Sequence, residues 1–136
     1  SGLEPVWSSD GLATIWKKVL LNIAINPLAA LAGVENGALL EPDLFSSAFS
    51  TMLEGAAVAR TERVNLPDDA ELETLLRQVL TATSSNICSM LQDIRAGRNT
   101  EIAVLNQAIT ARGERAGLAT PLNQMLTSMI KALHPQ

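Results

Sequence analysis

Six polar residues pose the chemical question. Lys18, Asn22 and Asn26 follow one another at intervals of four, and Asn86, Ser89 and Glu101 lie in a second polar stretch further along the chain. An ammonium group can stabilise and protonate the alkoxide that develops when a carbonyl is reduced. Hydroxyl and amide groups can orient a small polar acid, and a carboxylate can hold a lysine in place and keep it charged. Each residue also has a plainer reading. Two asparagines can bond backbone where Pro27 interrupts a helix, and Lys18 can lay its stem over apolar surface. A glutamate in the first turn of a helix, as Glu101 would be, meets the helix dipole favourably.

Other chemistries are set aside by composition. The chain has one cysteine, Cys88, and one histidine, His134, too few for the usual metal ligand sets. His134 lies next to the C-terminus, a poor place for the base of a nucleophilic triad or a Cys-His pair. Glycine-rich phosphate loops are absent. Cys88 cannot form an internal disulfide, reads as a small buried apolar group, and suits a reducing, cytoplasmic compartment. The formal net charge is −4 and no basic cluster runs along a face, so nucleic acid is not an expected partner. With no signal-peptide pattern and no apolar run of about 20 residues, neither secretion nor a membrane span is expected.

The elements that must position these groups read as helices. The 136 residues are 47% hydrophobic but only 3% aromatic, with no tyrosine, which suits a helical core in one domain. After cap residues at Ser8-Ser9-Asp10, Leu12, Ile15, Trp16, Val19, Leu20 and Ile23 mark one helix face, while Leu21, Ile25 and Leu28 mark another. A helix apolar on two sides is central and buried. Pro27 is expected to kink it or mark a change of direction, and Gly33 to end it. On this helix Lys18, Asn22 and Asn26 form a stripe flanked by Ile15, Val19 and Ile25, so the stripe is predicted not to face solvent. Lys17 is predicted to be the exposed lysine.

A second helix starts at Pro42, and a third follows the capping box Asp68–Glu71. Glu35-Asn36-Gly37 reads as a turn, and Glu54 as either solvated or paired with a neighbouring helix. Ser84 to Glu101 reads as a short helix and a turn closed by Gly97, anchored by Ile87, Met90, Leu91 and Ile94. A further helix is predicted from near Thr100, its end weakened by Gly113 and Gly117. A last one starts at Thr120-Pro121, with an apolar face of Leu122, Met125, Leu126, Met129, Ile130 and Leu133. The expected fold is all-α, a single multi-helical domain of five or six helices.

Three stretches together resemble a known family. Trp16 to Ala30, with Lys18, then Asn22, then Asn26-Pro27-Leu28, is similar to the first helix of the C-terminal domain of ketopantoate reductases (2-dehydropantoate 2-reductases). Asn86 to Ile102, with Asn99-Thr100-Glu101-Ile102, resembles that family's second signature, and Gly117 to Asn123 resembles its closing motif. The resemblance runs from about Trp7 to Lys131. It implies a fold like that of 6-phosphogluconate dehydrogenase-like helical domains. It also implies a reaction in which NADPH reduces the ketone of 2-dehydropantoate to give pantoate for pantothenate and coenzyme A synthesis. By position, Lys18 matches the family's general acid and Glu101 its second catalytic residue. Asn22, Asn26 and Ser89 match substrate-binding positions, as do Asn36 and Asn86 more loosely. The family's partners would then be a 2-keto acid and an N-terminal Rossmann domain that binds NADPH, which these residues do not include.

Two positions depart from the pattern. Ala103 stands where aspartate is usual, and Gln107 follows Asn106 where glycine is usual; both bear on how Glu101 is supported and on the keto acid preferred. The competing reading is a non-catalytic helical domain serving interaction or homodimerisation. The surroundings of Lys18 discriminate between the two: if Lys18 points into solvent, remote from Glu101 and Ser89, the stripe is only surface.

Overall fold

The computed structural model of the protein describes residues 9–133, with side chains from Gly11 onward. His134 and the predicted caps at Ser8, Ser9 and Asp10 lie outside those side chains. Among the described residues there are six α-helices, one 3-10 helix and no strand.

Helix α1, Ser9–Ala32, is the central element. Leu20, Ile23, Ala24 and Ala29 are fully buried on it. It packs against α2 (Pro42–Thr61), the 3-10 helix (Asn36–Leu40), α4 (Ser89–Arg95) and α6 (Pro121–Leu133). The stretch Gly11–Ala32 is long and apolar enough to cross a membrane by length and composition, and half of it is buried inside the domain. Neighbours on several sides account for that apolarity. Pro27 does not end the helix, which continues to Ala32. Gly33 and Gly97, at φ +67° and +69°, take the left-handed conformation just past α1 and α4, as predicted.

The capping chemistry is largely as expected. The carboxylate of Asp68 accepts from the Glu71 amide at 2.9 Å and opens α3, Asp69–Ala82, whose Leu72, Leu76 and Leu80 are buried. Glu41 accepts from the Leu44 amide at 2.9 Å ahead of α2, with Pro42 in the first turn.

One boundary differs from expectation. Helix α5 spans Asn106–Ala116 and does not start near Thr100. The amides of Val104 and Leu105 both donate to the Glu101 carbonyl, and the Gln107 amide reaches back to Ile102. Leu105 adopts φ −107°, ψ −102°, outside the helical region. Ile102 and Leu105 are buried all the same. Apolar residues three apart are placed as well by a compact turn as by a helix, so the spacing did not separate the two.

Gly113 also differs. It sits inside α5, where an added Cβ would lie 2.8 Å from the Leu118 carbonyl oxygen, so it permits the close return of the chain into α6. On α6, Leu126 and Ile130 are buried while Met125, Met129 and Leu133 are about half exposed. The apolar face is wider than the surface it packs on.

Candidate functional site

The predicted stripe lies along an open edge of α1. Lys18 is exposed, Asn22 and Asn26 are half-buried, and Ile15 beside them is 49% exposed. This corrects the expectation that the stripe faces away from solvent. The two lysines are reversed: Lys17 is half-buried and lines a groove of about 480 Å³ with Pro67, Asp68 and Glu71 of the α3 entry. The helical wheel gave the angle of each side chain but not which neighbour lies beside it; the loop before α3 and the start of α3 lie on the Lys17 side. Among the described residues, no hydrogen bond or ion pair engages the side chains of Lys18, Asn22 or Asn26. Three polar groups thus stand on one edge without side-chain partners among the described residues.

The start of α4 is fastened to this edge. The Cys88 Sγ donates to the Asn26 carbonyl at 3.6 Å and accepts from the Leu91 amide at 3.5 Å, capping the helix. Burial pushes the thiol above its ordinary pKa, partly opposed by the backbone amides of Leu91 and Met90 that favour the thiolate. Cys88 is buried, as predicted, and Ser89 follows it at the surface. Ser89 thus follows directly on the residue that is bonded to the Asn26 backbone.

Asn36 and Asn86 have different surroundings from each other. Asn36 is buried, and its Nδ2 donates to the Thr83 hydroxyl at 3.1 Å. Its backbone amide donates to the Asn86 carbonyl at 3.0 Å, and the Gly37 amide donates to Ser84 at 2.9 Å. The 3-10 helix thus holds the 83–86 turn that leads to α4. The Asn86 side chain is exposed at the end of that turn.

Glu101 is exposed. Because α5 begins at Asn106, Glu101 is not in a helical first turn, and the dipole explanation of its presence does not apply. Ala103 and Gln107, the two departures from the family pattern, are exposed as well. The turn carrying Glu101 is tied down by Asn106, a residue to which the sequence reading gave no role. The Asn106 Nδ2 donates to the Ile23 carbonyl at 3.1 Å and to Asn123 Oδ1 at 3.0 Å. Asn123 in turn donates through Nδ2 to Thr51 O and to Glu54 Oε1. The Glu54 carboxylate also accepts from the amides of Leu122 and Asn123, both at 3.0 Å. Of the two readings of Glu54, pairing with a neighbouring helix is the one observed. One signal for Asn106 was present: Pro27 has no N–H to offer the carbonyl four residues earlier, so Ile23 needed an outside donor.

Among the described residues no cluster of metal-ligating side chains forms. The arrangement gives one ammonium, two amides and a hydroxyl on an open surface, with an exposed carboxylate on the turn that Asn106 ties to the Ile23 carbonyl. It defines a helical domain that presents a polar edge rather than an enclosed cavity.

The same architecture is found in helical domains of reductases. The crystal structure of a PanE/ApbA family ketopantoate reductase from Ralstonia eutropha JMP134 matches with a TM-score of 0.82 at 31% identity, covering 89% of this chain and 40% of that one. A structure of D-mandelate dehydrogenase with NADH and anilino(oxo)acetate matches with a TM-score of 0.86 at 28% identity, covering 93% and 42%. Residues 10–134 match the family described as ketopantoate reductase PanE/ApbA C terminal, and the chain belongs to that family. The 2-dehydropantoate 2-reductases of Vibrio cholerae and Pyrococcus horikoshii are each 36% identical to it, over 96% and 97% of its length. The chain spans 44% of the length of each of those two relatives.

Proposed function

We propose that this domain is the substrate-binding half of an NADPH-dependent reductase acting on 2-dehydropantoate or a closely similar 2-keto acid. In this reading Lys18 donates the proton to the ketone oxygen, and Asn22, Asn26 and Ser89 hold the acid. Asn36 and Asn86 shape the turn beside it, and Glu101 supports Lys18. The observation that carries the reading is the unpartnered edge of α1. An ammonium and two amides, without partners among the described residues and on the helix to which the start of α4 is fastened, suit the carboxylate and ketone oxygens of such an acid.

The donor set fits the substrate rather than the dinucleotide. NADPH would supply the hydride, and a separate Rossmann domain would hold it; no residue of this chain is assigned to its phosphates. What this chain contributes is orientation of the acid, exclusion of water once a second domain covers the edge, and the proton at Lys18 Nζ. A cytoplasmic setting belongs to the same proposal.

The test is Lys18→Ala in the protein that carries both domains. A general acid contributes about 10²- to 10⁴-fold, so kcat should fall by at least two orders of magnitude with the protein still folded. Parental turnover would remove Lys18 from the mechanism. The competing reading, an interaction or dimerisation domain, draws on the half-exposed Met125, Met129 and Leu133 of α6, and it predicts that Lys18→Ala has no effect on any reaction.

A further inference from the structure

We infer that Asn106 is a positioning residue that sets the Glu101 turn against the Lys18–Asn22–Asn26 edge by supplying the hydrogen bond that Pro27 cannot make. The inference rests on the functional reading above. Pro27 lies inside α1 and has no N–H, so the Ile23 carbonyl loses its partner within the helix. Ile23 is fully buried, and water cannot replace that partner. The donor comes from outside the helix: Asn106 Nδ2, at 3.1 Å. Asn106 is itself fully buried, and both protons of its amide are used, the second on Asn123.

The location gives the bond its consequence. Ile23 is the residue after Asn22. Asn106 closes the turn in which Glu101 accepts from Val104 and Leu105. One hydrogen bond therefore joins the backbone that carries two substrate-binding candidates to the turn that carries the carboxylate. Behind it, Asn123, Thr51 and Glu54 hold the Asn106 amide from α6 and α2. Neither Asn106 nor Asn123 needs to touch substrate for this to work.

The experiment is a double-mutant cycle in the protein that carries both domains, using Asn106→Ala and Pro27→Ala, with melting temperature and steady-state kinetics read on every variant and Lys18→Ala run in parallel. Asn106→Ala should lower kcat/KM at least tenfold at a temperature well below its melting point. Pro27→Ala restores an N–H to the helix, so in that background the loss of melting temperature caused by Asn106→Ala should shrink. The loss of kcat/KM should remain, because the Glu101 turn is still untied. A merely structural asparagine would give the opposite pattern, with activity recovering alongside stability. If Asn106→Ala does not fold, the Pro27→Ala pair of variants carries the same comparison. Folded Asn106→Ala with kcat/KM within twofold of the parent, while Lys18→Ala is inactive, overturns the positioning role and leaves the functional reading standing. Parental turnover in Lys18→Ala overturns the functional reading, and the positioning role falls with it.

Discussion

The side-chain amide of Asn106 donates to the main-chain carbonyl of Ile23, at 3.1 Å, four residues before Pro27. A bend-prone point of the central helix is thereby held by a residue far away in sequence. Asn106→Leu keeps the branched shape with some added bulk, and leaves the Ile23 carbonyl and the Asn123 amide oxygen buried without a donor. Each such group costs about 1–3 kcal/mol. Urea unfolding should show a lower midpoint with an unchanged slope.

Glu54 caps α6 from a neighbouring helix. Its two oxygens accept from Leu122 N and Asn123 N, in the first turn, and from the Asn123 side chain. The Thr120 hydroxyl is turned instead to Thr110, at 2.9 Å. Glu54→Ala should destabilise the domain by about 1–2 kcal/mol, the usual scale for a lost cap. Glu54→Gln, which keeps the acceptor oxygen, should recover part of it. A thermal melt of Glu54→Ala that overlays the parent would show that the cap contributes nothing.

Gly37 has no room for a side chain. A Cβ there would lie 2.7 Å from Ser84 Cβ and 3.0 Å from Ser84 O. The Ser84 backbone must therefore move, and with it the turn that leads through Asn86 to Ser89. Gly37→Ala should cost about 1–3 kcal/mol through overpacking. In the two-domain protein it should raise KM more than it lowers kcat, since the displaced turn serves binding.

Cys88 sets a dependence on pH. Burial raises its pKa, so the folded protein holds the thiol proton more tightly than the unfolded chain does. The stability linked to this proton is complete below the ordinary thiol value of about 8.5 and is lost as pH rises above it. The parent should lose stability faster than Cys88→Ala as pH rises above about 8.5. Iodoacetamide at pH 8 should label unfolded chains much faster than native ones; equal rates would contradict the burial.

Lys18→Ala should be nearly silent in stability. The side chain is exposed and forms no hydrogen bond or ion pair with another described residue, and such changes usually stay within about 0.5 kcal/mol. Equal melting temperatures beside a large loss of turnover would separate function from folding at this position.

The sequence by itself determined the helices whose start and stop signals are local. Asp68 with Glu71, Pro42, Gly33 and Gly97 all act within a few residues of the ends they define, so their chemistry is readable without neighbours. It also determined that α1 is central, because an apolar pattern on two faces can only be satisfied by neighbours on both. The burial of Cys88 was legible from composition, since a lone cysteine without a disulfide or base partner reads as a small apolar group. Tertiary structure decided what covers each face. Lys17 and Lys18 are adjacent in sequence, and only the placement of the loop before α3 and of its first turns beside Lys17 separates the half-buried lysine from the open one. It decided that Ile102 and Leu105 are buried by a turn, which local spacing could not tell from a helix. It also decided which donor meets the Ile23 carbonyl. Pro27 stated the need for one, but a hydrogen bond spanning 83 residues of sequence depends on how α5 and α6 fold back on α1, and no local pattern encodes that.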